Sequence, residues 1–326
     1  MRRRALPSVV RETSPRLERE TISPYYSTGY GAAYLGDALE LSRQLGDQTV
    51  DLILTSPPFA LTRQKEYGNA AEDAYVDWFL EFAVEFKRIL KPTGSFVLDL
   101  GGAYLRGAPV RTIYQFELLV RLSRELGFYL AQEFFHYNPS RLPAPAEWVT
   151  VRRIRVKDSV NVVWWLCTSK APKADNRRVL QPYSDSMETL LKNGYKPKLR
   201  PSGHDISEKF ARRHRGAIPS NLLTLANTQS NSTYLRRCRE GGLKPHPARF
   251  PPAFPEFFIQ MLTDPGDVVL DPFAGSNTTG FAAETLRRKW LAFEIREDYV
   301  RGSLLRFCDP RETPLFSTVT LHGAAH

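Results

Sequence analysis

Strand-like and helix-like segments alternate through the first half of this 326-residue sequence, stop after Cys167, and resume only in the last quarter. Residues 50–54 form an apolar run halted by Ser56-Pro57-Pro58, since proline lacks the amide donor that a strand ladder needs. Val76, Phe79, Leu80, Ala83, Phe86 and Leu90 recur at helical spacing, which predicts a helix over residues 75–90, closed by Lys91-Pro92-Thr93-Gly94. Residues 95–100, 128–135 and 160–166 read as strands, with a helix over 112–126 between the first two. After the gap come a helix (254–262), a strand (267–270), a helix (277–287), a strand (290–293) and a last helix (298–307). This alternation predicts an α/β fold with a doubly wound, mostly parallel sheet. No apolar run reaches the roughly 18 residues of a membrane span, so no membrane partner is expected.

The interruption is basic. Residues 141–245 hold 21 Lys and Arg against 8 Asp and Glu, while the remainder holds 24 against 27. A basic middle between near-neutral ends predicts a polyanion-binding face, with a merely solvated basic surface as the plain alternative. Cys167, Cys238 and Cys308 are far apart and form no CxxC, which fits a reducing compartment and predicts neither a cysteine zinc cluster nor any other metal site. Arg2-Arg3-Arg4 is followed by Pro7 and charged residues without an apolar stretch, so no secretory signal is read and a cytoplasmic location is expected. Residues 1–26 and those after Pro310 read as loose ends.

Two loops carry the chemistry. Asp271-Pro272-Phe273-Ala274-Gly275-Ser276-Asn277-Thr278-Thr279-Gly280 follows an apolar strand and opens a helix. Ligands bind at such carboxyl edges of open α/β sheets. Gly275 permits close backbone approach and Asn277 can cap the helix. Neither GxGxxG nor GxxxxGK[ST] occurs, so a dinucleotide or a P-loop phosphate is disfavoured. The second loop, Thr55-Ser56-Pro57-Pro58-Phe59, also ends a strand. Its prolines remove two donors and leave carbonyl oxygens, a serine hydroxyl and a flat ring. That set suits a planar group bearing an exocyclic amine.

The two loops together resemble a family. DPFAGSNTTG is similar to the S-adenosyl-L-methionine loop of amino-group DNA methyltransferases, and TSPPF resembles their catalytic motif in the form typical of cytosine-N4 enzymes. The catalytic loop precedes the basic insert and the cofactor loop follows it, as in the circularly permuted beta group. YVDWFLEFA, SFVLDLGGAY, VKDSVNVVWW, RPSGHDI and HPARFP extend the resemblance from about Ser27 to Phe307. It implies a catalytic half at 27–167, an inserted DNA-recognition region at 168–243, a cofactor-binding half at 244–310 and a tail at 311–326.

The resemblance implies that Asp271, Phe273, Gly275, Ser276, Asn277 and Thr278 surround the methyl donor, with Glu294 on its ribose. Asp37 then meets the adenine amine, or simply caps the next helix, and Phe250 lines the methionine end, where His246 is read as structural. Ser56 Oγ and the Pro57 carbonyl accept the two amine hydrogens and aim the nitrogen lone pair at the methyl. Pro58 stiffens the loop and Phe59 stacks on a base flipped out of the duplex. Asp99 either takes a proton and fixes the base edge, or is a buried structural carboxylate. The cysteines, lacking a preceding proline, do not suit C5 methylation. Serine at position 56 favours cytosine over adenine N6. Arg152, Arg153, Arg155 and Lys157, then Arg212, Arg213 and Arg215, then Arg236, Arg237 and Arg239 form basic clusters for double-stranded DNA, mostly against phosphates. His204 and Asp205 read as a local turn. A restriction endonuclease acting on the same site, without a stable complex, is the partner such an enzyme implies. The rival readings are a DNA-binding regulator on a degenerate scaffold and an RNA methyltransferase.

Overall fold

The computed structural model describes residues 23–59, 72–194, 212–228 and 232–309. The N-terminal 22 residues, His204, Asp205 and the tail lie outside the described residues. The strands are β1 (Tyr26–Ser27), β2 (Gly31–Leu35), β3 (Val50–Thr55), β4 (Leu90–Leu100), β5 (Tyr129–Tyr137), β6 (Val160–Cys167), β7 (Leu222–Thr224), β8 (Val268–Asp271) and β9 (Lys289–Glu294). They form one sheet in the order β1-β2-β9-β8-β3-β4-β6-β5-β7. The strands after residue 268 enter between β2 and β3, so the two halves of the sequence share one sheet and place both loops on adjacent strands. Here β3 and β8 pair in parallel through Leu52↔Val269 and Ile53↔Leu270.

The helices are α1 (Ala38–Arg43), α2 (Glu72–Ile89), α3 (Tyr114–Arg124), α4 (Asp185–Asn193), α5 (Thr233–Glu240), α6 (Ala253–Leu262), α7 (Thr278–Thr285) and α8 (Glu297–Ser303). Every residue of β3 is buried, as a near-continuous apolar strand covered on both faces requires. One face packs under α1 to α3 through Leu41, Phe79, Phe86 and Leu118. The other packs under α6 to α8 through Phe254, Phe258, Ala283 and Val300. No helix among the described residues is long and apolar enough to cross a membrane.

The mostly parallel sheet stands, one strand direction was not read, and two expectations need correction. The strand β6 runs antiparallel to both β4 and β5, because alternation along the sequence is the same whichever way a strand enters the sheet. Residues 91–94 bulge out of β4, where pairing jumps from Val50↔Leu90 to Leu52↔Ser95. The loose N-terminal end stops short of residue 26: Tyr26 is buried, pairs with Ala33, and exchanges a 2.7 Å hydrogen bond with the Ser303 hydroxyl. The region 168–243 also contains α4, α5 and the short β7, which extends the sheet beside β5.

Candidate active site

Side chains alternate across a strand, so one face of the carboxyl edge receives a row of polar groups. Asp271 ends β8, Ser56 follows β3, Asp99 lies near the end of β4, Asn161 begins β6, and His136 and Asn138 close β5. All six line one cavity of about 610 Å³. Ser56, Pro57, Pro58, Phe59 and Asp99 meet there, as do Asp37, Phe250, Asp271, Phe273, Gly275, Ser276, Thr278 and Glu294.

The two loops are tied by Asp271. Its Oδ1 accepts from the Thr55 hydroxyl at 2.7 Å and from the Phe273 amide at 3.2 Å, and its Oδ2 from the Thr279 hydroxyl at 2.7 Å. Burial raises its pKa to about 6, against these bonds. Thr55 immediately precedes the serine, so one carboxyl holds the two loops in register. The next acidic strand end, Glu294, accepts the Gly275 amide at 2.9 Å and the Arg296 amide at 2.9 Å, and burial lifts it to about 7. Gly275 adopts φ +52°, and a Cβ there would stand 3.1 Å from the His246 ring. Asp37 caps α1 through Oδ1, which accepts the Leu39 and Glu40 amides, and its Oδ2 makes no hydrogen bond to a described residue. Phe250 stacks on Phe254 at 4.6 Å, and Phe273 packs on Phe82 at 5.2 Å.

At the other end, Asp99 is 3% exposed. Its Oδ2 accepts from Asn161 Nδ2 at 3.4 Å and its Oδ1 has no partner. Burial raises its pKa to about 7, and the Asn161 bond, the Arg141 charge and the nearby Ser56 hydroxyl pull it down. The Phe59 ring lies against Gly101, where an added Cβ would approach it to 2.5 Å.

Several assignments change. Asn277 does not line the cavity. It sits in the left-handed conformation at φ +52°, its Oδ1 accepts the Gly280 amide at 3.0 Å, and its Nδ2 donates to Tyr26 Oη at 3.0 Å. It shapes the loop from behind. Ser276 is itself gripped: Arg306 Nε donates to its carbonyl at 2.5 Å and Nη2 to its hydroxyl at 2.8 Å. Arg237 faces inward, with Nη1 donating to the carbonyls of Leu305 at 3.1 Å and Arg306 at 3.4 Å, which removes it from the DNA-facing set. Arg155 donates to the Pro109 carbonyl at 2.5 Å and lies over the Tyr104 ring. Arg152, Arg153, Arg212 and Arg215 are exposed, whereas Arg213 pairs with Glu188 at 3.0 Å and Arg236 with Glu240 at 3.8 Å. None of these arginines lines the cavity. Tyr26, Thr55, His136, Arg141, Asn161 and Arg306 are members of the site that sequence reading missed. Polar residues at alternate positions ending apolar strands were the available signal for His136 and Asn161.

A twisted, mostly parallel sheet with acidic strand ends around a preformed cavity defines an S-adenosyl-L-methionine-dependent methyltransferase. The DNA methylase family model matches residues 50–305, and the chain belongs to that family. It is 53% identical over 289 residues to the type II methyltransferase M.PvuII of Proteus hauseri, covering 88% of this chain and 86% of that one. Among solved structures, the PvuII DNA methyltransferase (cytosine-N4-specific) superposes with a TM-score of 0.74 at 45% identity, over 90% of this chain and 94% of that one. The M1.HpyAVI complex with S-adenosyl-L-methionine shares the fold, with a TM-score of 0.51 at 19% identity, over 84% of this chain and 98% of that one. The residues here fit the cofactor: a Cβ on Gly275 would crowd the His246 ring in a cavity that Asp37, Glu294, Phe250 and Phe273 also line.

Proposed function

We propose that this protein methylates the N4 amine of a flipped cytosine within a specific sequence of double-stranded DNA. It would act in the cytoplasm, within a restriction–modification system beside an endonuclease of the same specificity or as a solitary enzyme. The observation that carries this reading is the Ser56-Pro57-Pro58-Phe59 loop facing Asp99 and tied through Thr55 to the cofactor loop, in a chain close to a relative named cytosine-N4-specific.

The cytosine amine is a weak nucleophile because its lone pair is delocalised into the ring. Ser56 Oγ and the Pro57 carbonyl accept its two hydrogens, which favours a more tetrahedral nitrogen and orients the lone pair. Asp99 sits behind Ser56 with one unpartnered oxygen to take the proton that the amine must lose. Phe59 holds the ring plane. The bound cofactor supplies an electrophilic methyl group on a sulfonium. Asp37, Gly275 and Glu294 would hold the cofactor at its adenine and ribose, while Asp271 keeps its loop aligned with the serine. The exposed arginines of residues 141–245 supply the DNA face, most of them through phosphates.

Mass spectrometry of nucleosides from DNA incubated with the protein and methyl-labelled cofactor tests the reading. N4-methylcytosine is expected. Ser56→Ala should lower the methylation rate by about 100-fold while DNA and cofactor still bind. N6-methyladenine in place of N4-methylcytosine would overturn the cytosine assignment, and DNA binding without methylation would favour a regulator.

A further inference from the structure

One cavity residue has no part in the reaction described above. His136 leaves β5 on the face that also bears Asp99, and its Cα pairs with that of Asn161 on the intervening β6. It is 9% exposed, lines the cavity, and its ring lies 5.0 Å from that of Phe254. Neither Nδ1 nor Nε2 makes a well-formed hydrogen bond to a described residue, the Leu225 backbone being the polar group beside the ring. Burial lowers its pKa, so the ring is neutral at pH 7 and carries a single N–H.

The neighbouring polar groups are committed. Arg141 Nη1 donates to Asn161 Oδ1 at 3.0 Å. Asn138 Oδ1 accepts the amides of Ser140 at 3.0 Å and Asn227 at 3.4 Å, and Asn227 Nδ2 donates to the Arg249 carbonyl at 3.2 Å. Among the described residues, the cavity-lining side chains that hold a buried polar atom without a partner are Asp99 and His136. A buried polar group without a partner calls for an explanation, and in a cavity of this size a ligand that completes it is one.

Their separation leaves room for one edge of a base between them. Asp99 pairs with Val163 and His136 with Asn161, two residues along β6, so with strands about 4.8 Å apart and about 3.4 Å per residue their Cα atoms stand about 12 Å apart, within side-chain reach of a base between them. A group on the exocyclic amine and a group on the ring carbonyl of cytosine stand about 10 Å apart, two hydrogen bonds of about 2.9 Å plus about 4.5 Å across the ring. Adenine presents a C–H where cytosine presents O2 and would leave the donor unpaired.

We propose that His136 is a specificity-determining residue that donates its ring N–H to O2 of the flipped cytosine, while the amine at the other end of that edge faces Ser56 and Asp99. The proposal rests on the cytosine-N4 reading and adds the hydrogen bond that refuses adenine.

A double-mutant cycle tests it. Duplexes carrying the methylated site are made with cytosine or with an aminopyridine C-nucleoside that keeps the amine and ring nitrogen but lacks O2. Both are assayed with the wild-type protein and with His136→Phe, which keeps the packing on Phe254 and removes the donor. Each single change should lower kcat/KM by about 10- to 100-fold, and the two together no further than either alone. His136→Asn, which retains an N–H, should keep its sensitivity to the loss of O2. Losses that multiply, or a wild-type rate indifferent to O2, overturn the assignment even if His136→Phe fails to fold. Absence of N4-methylcytosine on the unmodified duplex overturns the parent reading as well, whereas its presence with multiplying losses removes His136 alone.

Discussion

At the cofactor end of the cavity, Asp271 and Glu294 have both carboxyl oxygens bonded within the protein, whereas at the target end Asp99 Oδ1 and both nitrogens of His136 have no partner. At the first end these two carboxyls are bonded before any ligand arrives, while Asp37 keeps one oxygen for it. The acidic groups there hold backbone amides and hydroxyls, and those in turn fix a loop whose shape receives the cofactor. On the proposed function the second end keeps hydrogen-bonding capacity in reserve for the base. A side chain removed from the first end should therefore cost stability and cofactor affinity together, while one removed from the second should cost rate.

The largest expected effect tests the target end. Asp99→Asn removes the proton acceptor while keeping the shape, and should lower kcat/KM by about 100-fold or more. Burial holds the Asp99 carboxyl protonated up to about pH 7, so the wild-type kcat/KM should rise with pH through that value as the acceptor ionises. Initial rates on a fixed duplex across that range should show the rise in the wild type and a flat profile in Asp99→Asn. An unaltered profile in the variant would return Asp99 to a structural role.

At the cofactor end, Asp271→Ala removes the shared acceptor of Thr55, Thr279 and the Phe273 amide. The loss should be about 2–4 kcal/mol in unfolding free energy, with weaker cofactor binding. Proton linkage sharpens the contrast. Asp271 is raised to about 6, and Asp99 and Glu294 to about 7, so the folded protein holds protons that the unfolded chain releases near its ordinary carboxylate range. The stability these protons carry is complete below about pH 4 and is lost as pH rises through 6 to 7. Denaturation of the unliganded protein should show a falling Tm over that window, less steep in Asp99→Asn. A Tm that climbs there would mean that other groups dominate.

The two loops were legible because each is contiguous, and the acidic strand end, small-residue turn and helix start stand side by side in the chain. The row from Asp99 through Asn161 to His136 was not. It arises from an antiparallel β4-β6-β5 arrangement that brings residues 99, 136 and 161 together without any spacing between them in sequence. Tyr26 escaped because a two-residue strand has too little pattern to read, although its hydroxyl braces Asn277 behind the cofactor loop. Asn277 was read both as a cap and as a cofactor residue, and only the cap follows from local chemistry.

The basic clusters show the same limit, since composition locates a charged region but does not say which cations face outward. Arg152 and Arg215 are exposed, and no ion pair joins either to a described residue, whereas Arg237 closes on the carbonyls after α8. The double variant Arg152→Ala, Arg215→Ala should leave Tm unchanged and weaken DNA binding similarly for specific and unrelated duplexes. It should also flatten the dependence of log K on log salt by about one for each phosphate that is no longer neutralised. Arg237→Ala should do the reverse, lowering stability by about 1–2 kcal/mol because two carbonyls lose a charged donor, with the salt slope intact. The paired titration separates the roles, since counterion release registers only cations that touch phosphate. A reduced slope in Arg237→Ala would mean that this guanidinium swings out when DNA binds, and α5 would then join the interface with the loop before β6.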